Sequence, residues 1–365
     1  MPDKDCNLDG LCYNFGDAKG GSQVNTSRFL KACRGEPHDQ VPVWFMRQAG
    51  RYQPSYRALR TRYTMLELAR SPRLIADVTV EAVRMLDVDA AILFSDIMIP
   101  LDGLGIRYDI RENVGPIVES PLRRPADIHG MPPFQSDRLE FVYEGVALSV
   151  EKLAGVPLIG FAGAPFTLAS YLVEGGPSRT YQETKALMWN HPGAFYALME
   201  RLCAMVVEHC ANQVKAGAAA IQLFDSWVGA LSQEDYRTLI LPHMRKIFEA
   251  LKPLGVPLIY FGIGTQHLIA EMARSGATVL GLDWRTALSQ ARGVVGPSIA
   301  LMGNLDPQCL LAGPVAVQAG VTAILDAMAR DDAYIFNLGH GVPKETDPTV
   351  LQKVAAWVHQ YPKPG

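Results

Sequence analysis

Eight short apolar runs punctuate the chain, and most of them stop at a polar or glycine-containing cluster. They are VPVWFMR (41–47), AAILFSD (90–96), VPLIGFAGAP (156–165), AAIQLFDS (219–226), VPLIYFGIG (256–264), ATVLGLDW (277–284), IALMGNLDP (299–307) and AYIFNLGHG (333–341). None alternates strictly between apolar and polar residues. A strand with one wet face alternates with a period of two, so continuous runs mark strands covered on both faces, as in a parallel sheet flanked by helices.

The stretches between the runs carry helical signals. Ser71 and Pro72 form an N-cap and first-turn pair opening a helix through Met85, and Pro192 begins another whose Leu198, Leu202, Met205 and Val206 share one face. Gly217 then supplies a left-handed C-terminal cap directly before the next strand. The phrase VKAGAAAIQLFD (214–225) is echoed by ARSGATVLGLDW (273–284), as a repeated βα unit would be. Eight strands alternating with helices predict an α/β fold, a single (β/α)8 TIM-type barrel rather than an open doubly wound sheet. An open dinucleotide-binding sheet needs GxGxxG after its first strand. A GxG after a later run, as at Gly262–Gly264 after the fifth, lacks the third glycine, and no GxxxxGK[ST] loop exists.

Composition narrows the function classes. With 19% charged residues and a formal net charge of −3 over 365 residues, the chain is neither collagen-like nor disordered in type, and it lacks the basic balance of a nucleic-acid binder. Its length suits one barrel of about 250 residues or more. Residues 1–25 read as a flexible arm and 26–365 as the barrel. The charge-free segment 153–173 is long enough to span a membrane, but Pro157, Pro165, Gly155, Gly160 and Gly163 would break the helix, so a buried strand and a tight loop are expected. The leader has no apolar core and is not Arg-rich, and six scattered Cys form no CxxC pair; a cytoplasmic protein is expected.

In a barrel the active site lies at the C-terminal strand ends, which makes the residue closing each run a candidate. Those are Arg47, Asp96, the 163–165 turn, Asp225 with Ser226, Gly264, Asp283, Asn304 with Asp306, and His340. Each could equally be a loop cap or a satisfied polar group. Arg47 and Arg51 flank a flexible Ala49–Gly50 step in MRQAGRY (46–52). Two guanidiniums at one mouth imply an anionic ligand, since each can grip a carboxylate or phosphate bidentately. Surface ion pairing is the alternative, weakened by the apolar neighbours Phe45 and Met46. Asp96 ends an apolar run, where a carboxylate needs partners; it could cap a helix, bind a metal or accept hydrogen bonds from a ligand's N–H groups. The dispersed histidines form no HxH or HExxH, no lysine ends a strand where a Schiff base would form, and Ser226 lacks a GxSxG setting. What remains suits a large, anionic, partly apolar molecule whose own electrons do the difficult work.

Seven segments in order and spacing, MRQAGRYQPSYR (46–57), FSDI (94–97), GFAGAPFTLASYLVEGG (160–176), LFDSWVG (223–229), GLDW (281–284), GNLDP (303–307) and NLGHG (337–341), make the chain resemble the uroporphyrinogen decarboxylase family from about residue 27 onward. The resemblance implies a homodimeric barrel needing no metal or organic cofactor. It implies conversion of the four acetate side chains of uroporphyrinogen III to methyls, giving coproporphyrinogen III and CO2 in haem and chlorophyll biosynthesis. It places substrate carboxylates on Arg47, Gln48, Ala49, Gly50 and Arg51, makes Asp96 the central carboxylate, sets Arg47 near the proton transfer, and brings Tyr171, Ser226 and His340 to the substrate. Tyr171 is expected in the loop after GAP, and Arg57 and Arg60 extend the arginine cluster toward the mouth.

Two rival readings have distinct signatures. Zinc-thiolate methyltransferases on the same barrel need His and Cys ligands at strand ends, yet Gly341 and Val342 follow His340 where HxC would want a cysteine. A non-catalytic polyanion-binding barrel would tolerate loss of the central carboxylate or the arginine pair, and both are present.

Overall fold

The computed structural model describes residues 27–363; the arm expected over residues 1–25, with Cys6 and Cys12, lies outside the described residues. Nine strands form: β1 (Ala91–Ile92), β2 (Tyr108–Arg111), β3 (Gly115–Val118), β4 (Leu158–Gly163), β5 (Ala220–Asp225), β6 (Leu258–Gly262), β7 (Val279–Gly281), β8 (Ala300–Leu305) and β9 (Tyr334–Leu338). Seven of them make one parallel sheet in the order β1-β4-β5-β6-β7-β8-β9, while β2 and β3 pair as a separate antiparallel hairpin. Each strand of the large sheet therefore neighbours the next one in sequence, the order in which a curled βα sheet winds.

The strict eight-strand barrel is not formed. The first run contributes only a single parallel bridge, Val43 to Phe336, although it lies between the two edge strands. Phe336 N–H donates to Pro42 O (2.8 Å) and Asp89 N–H to Val43 O (2.8 Å), so the run touches both edges. Its ladder cannot lengthen for two reasons. Pro42 has no N–H to donate, and the N–H groups of Phe45 and Met46 are taken by side chains, Gln48 Oε1 (3.1 Å) and Asn337 Oδ1 (3.0 Å). The fold is TIM-barrel-like, with seven strands and a bridging segment in the eighth position.

Helices return between the strands as the pattern predicts. Pro72–Leu86 opens with proline in its first turn, but Ser71 at the N-cap makes no side-chain cap bond, contrary to the expected pairing. Pro192–Lys215 buries Leu198, Leu202, Met205 and Val206 against the sheet, and Gly217 beyond it has a positive φ of 113°. The expected tight loop after β4 is a single residue, Ala164, followed at once by the helix Pro165–Glu174. Within the sheet, Phe161, Phe224 and Phe261 meet edge to face at centroid separations of 5.4 and 5.9 Å. Edge-to-face contact adds to the area buried and sets ring orientation. No helix among the described residues is long and apolar enough to cross a membrane.

Candidate functional site

At the strand C-termini, the loop after the first run is built to hold arginines outward. Gln48 is fully buried; its Oε1 accepts from Phe45, its Nε2 donates to Ala90 O (3.1 Å), and its own carbonyl accepts from the Tyr52 hydroxyl (2.6 Å). These bonds turn the chain back immediately after Met46 and leave Arg47 in left-handed backbone (φ 59°), its side chain exposed. Gly341 makes room for it, since a Cβ there would stand 2.4 Å from Arg47 Cδ. Arg51 is exposed, and Ala49 and Gly50 are half-buried, with Gly50 N–H on Gln53 Oε1 (3.0 Å). Arg57 does not join the pair: its Nη1 clips the carbonyls of Arg51 (3.0 Å) and Tyr52 (2.7 Å), and Arg60 bonds Tyr63 O (2.7 Å). Beneath the loop, Tyr56, Leu68, Val78 and Phe94 form a small separate apolar cluster that anchors it to the helix Pro72–Leu86.

Asp96 follows β1. The strand ends early because Phe94 N–H goes to the Thr79 hydroxyl (2.9 Å) rather than to a neighbouring strand. Asp96 Oδ1 accepts the Met98 N–H (2.9 Å). Burial raises its pKa above the usual carboxylate value; the Met98 N–H and the Arg47 guanidinium pull the other way. Tyr171 lies in the helix Pro165–Glu174, not in a loop, with its ring stacked on Trp227 at 3.9 Å. Burial, and then the Asp96 charge, hold its phenol protonated. His340 follows β9. Burial, then Arg47, lower its pKa to about 4, so near neutrality it is an uncharged imidazole able to donate one N–H.

Arg47 is thus the common neighbour, acting electrostatically on Asp96, Tyr171 and His340. Burial raises the pKa of the Tyr56 phenol, with Arg60, then Arg51, opposing it and Asp96 adding to it, so these charges share one neighbourhood. Ser226 is half-buried and directly precedes Trp227, whose ring meets that of Tyr171.

Other strand-end candidates are spent on structure. Asp225 points into the layer between sheet and helices. There it accepts from Thr167 Oγ1 (2.7 Å) and Tyr260 OH (2.9 Å), and burial raises its pKa to about 6. Asp283 accepts Gly264 N–H (2.6 Å), Asn304 Nδ2 bonds the carbonyls of Asp283 and Thr286 (2.7 Å each), and Asp306 caps the turn at Gln308 (2.9 Å). Among the described residues no group of three or more His, Cys, Asp or Glu is gathered closely enough to hold a metal ion.

Comparison with known proteins shows the family. The model of the family "Uroporphyrinogen decarboxylase (URO-D)" matches residues 25–361. A uroporphyrinogen decarboxylase of Streptomyces coelicolor is 49% identical over 333 residues, covering 91% of this chain and 94% of that protein. One from Geobacillus kaustophilus is 46% identical over 340 residues, covering 93% and 98%. Among solved structures, a methyltransferase from Methanosarcina mazei superposes with a TM-score of 0.79 at 21% identity, covering 92% of this chain and 98% of the other. A B12-independent methionine synthase from Shewanella reaches 0.53 at 8% identity, covering 87% and 95%. At such identities the two structures speak for the fold alone.

Proposed function

The chain belongs to the uroporphyrinogen decarboxylase family and is a decarboxylase of porphyrin biosynthesis, and from that premise we propose that its strand-end mouth converts the four acetates of uroporphyrinogen III to methyls, with Asp96 and Arg47 at the reacting ring. The observation that carries this reading is the placement of Arg47, in no ion pair among the described residues, within electrostatic reach of a half-buried Asp96 whose pKa burial raises.

Decarboxylation needs somewhere to put an electron pair. Proton addition to a pyrrole carbon beside the acetate-bearing position makes a cationic ring. The bond to the carboxylate then breaks, CO2 leaves, and its electron pair neutralises the ring as an exocyclic methylene. Protonation of that methylene gives the methyl, and loss of the added ring proton restores the pyrrole, so each acetate consumes one proton net. The ring does the work that a pyridinium does in cofactor-dependent decarboxylases.

Asp96 accepts hydrogen bonds from pyrrole N–H groups and stabilises the positive ring as it forms. Arg47 and Arg51, in the loop with Gln48, Ala49 and Gly50, hold carboxylates. With both polar ends of its side chain engaged in the fold, Gln48 shapes this loop. Arg47 or a water it orders stands beside the proton transfer, since a guanidinium is too weak an acid to give up its own proton efficiently. Tyr171, Ser226 and neutral His340 offer polar hydrogens to the remaining carboxylates. A homodimer in the cytoplasm completes the proposal, and sedimentation of the purified chain tests the former.

The deciding experiment is anaerobic incubation with uroporphyrinogen, with loss of carboxylates followed by chromatography. Stepwise appearance of products with seven, six, five and four carboxylates is expected. Binding without any product would overturn the reading.

A further inference from the structure

A third guanidinium stands at the mouth. Arg285 lies two residues beyond the buried Asp283, and its side chain is 52% exposed. Its Nη1 donates to Asp283 Oδ2 at 2.7 Å, and its guanidinium carbon sits 4.0 Å from the centroid of the Trp284 ring. One end is therefore clamped and one face stacked, so the side chain's entropy is already restricted. A guanidinium has five N–H donors, and only Nη1 bonds the carboxylate.

The loop carrying it meets the arginine loop through the segment after β9. A Cβ at Gly339 would stand 2.3 Å from Trp284 N, and one at Gly341 2.4 Å from Arg47 Cδ. His340, between these glycines, has its proton disfavoured by both Arg47 and Arg285. Two guanidiniums thus flank one neutral imidazole.

We propose that Arg285 is a carboxylate-binding residue of this mouth, pre-positioned by Asp283 and Trp284 to hold a substrate carboxylate beside His340. The proposal rests on a polycarboxylate substrate, as argued above, and deepens it by adding a specificity-determining cation. Asp283 acts here as a positioning residue: its carboxylate already takes the backbone N–H groups of Gly264 (2.6 Å) and Arg285 (3.2 Å), which fix it independently of the guanidinium.

The test uses the full chain and two readouts. Uroporphyrin, the oxidised octacarboxylate that cannot be turned over, reports binding by quenching of its fluorescence; uroporphyrinogen reports turnover. Arg285→Gln should weaken uroporphyrin binding and raise KM about tenfold while kcat stays within about twofold. Arg285→Lys, which keeps a charge beside Asp283 but loses the fork, should lose about threefold in both binding measures. Unchanged binding and KM in a folded Arg285→Gln protein would overturn the proposal, as would unchanged values for Arg285→Lys if the glutamine variant does not fold. Wild-type protein that binds uroporphyrin but yields no product would sink the decarboxylase reading alone, and the Arg285 comparison would still be read from binding.

Discussion

The two ends of the sheet treat charge in opposite ways. At the N-terminal base, charged groups satisfy one another. Asp89 accepts from His359 Nε2 and Val43 N–H (2.8 Å each) and pairs with Arg28 (3.3 Å); Arg292 pairs with Asp331 (2.6 Å), and Lys363 with Asp332 (2.6 Å). At the C-terminal mouth, Arg47 and Arg51 are in no ion pair among the described residues, Arg285 gives only Nη1 to Asp283 (2.7 Å) and keeps its other donors, and the hydrogen bond to Asp96 comes from a backbone N–H. Paired charges close a structure; charges left without protein partners cost stability and keep their valence for a ligand. The base tells what holds the barrel shut, and the mouth tells what it is kept open for.

That contrast predicts different phenotypes for two aspartates. Asp96→Asn should lower kcat by about 10²–10³, the scale on which removal of one preorganised transition-state partner is felt. Its Tm should stay level or rise, because burial already disfavours the charge. Near-normal turnover in this variant would remove Asp96 from the mechanism. Asp89→Ala should do the reverse. It leaves His359 and the Val43 N–H without their acceptor and Arg28 with Asp39 alone, and should cost about 2 kcal/mol in urea unfolding, with kcat per folded molecule unchanged. A large kcat loss at constant stability there would erase the distinction between the two ends.

The same contrast explains what was legible in the sequence. Apolar runs located every strand of the large sheet, since burial on both faces is a property of composition. They also marked the first run, where Pro42 and the side chains of Gln48 and Asn337 prevent a ladder that no run length reveals. At the mouth, run ends pointed to the right level of the barrel but not to the right face. Asp225, the last residue of its strand, turns to Thr167 and Tyr260 in the layer behind the sheet, which no run end reveals because side chains alternate along a strand. Tyr171 lies beyond any run, in the second turn of the helix after β4, and only resemblance singled it out. Arg285 escaped because the sixth run ends at Trp284, one residue short.

Acid separates the mouth from the layer behind it. His340, with its pKa lowered to about 4, binds a proton more readily unfolded than folded; the stability tied to its neutral form is complete above about pH 6.5 and falls as pH drops toward 4. Asp225 has the opposite sign, its raised pKa of about 6 costing stability as pH climbs from about 3.8 to 6. Removing His340 should therefore make the protein relatively more acid-tolerant. His340→Gln should gain about 1 kcal/mol on wild type at pH 5.5 compared with pH 7.5 in paired urea titrations. A constant difference across that range would mean that the imidazole is not held neutral by burial and Arg47.

The smallest effect should come from Ser226, and it is informative because it is small. The residue is half-buried just beyond the C-terminal end of β5, and its hydroxyl has no hydrogen-bond partner among the described residues, so no internal bond is lost with it. A neutral hydroxyl offered to a ligand carboxylate is worth about 1 kcal/mol. Ser226→Ala should therefore raise KM about fivefold, with Tm unchanged to within a degree and kcat unaltered. The neighbouring substitution Thr167→Val gives the converse control. It deletes the bond to Asp225 (2.7 Å) and the acceptor for Trp227 N–H (3.2 Å), both internal to the fold, and should show first as lost stability. If Ser226→Ala instead destabilised the protein and left KM alone, the rule that mouth residues are held in reserve for a ligand would fail at the residue where it asks for least.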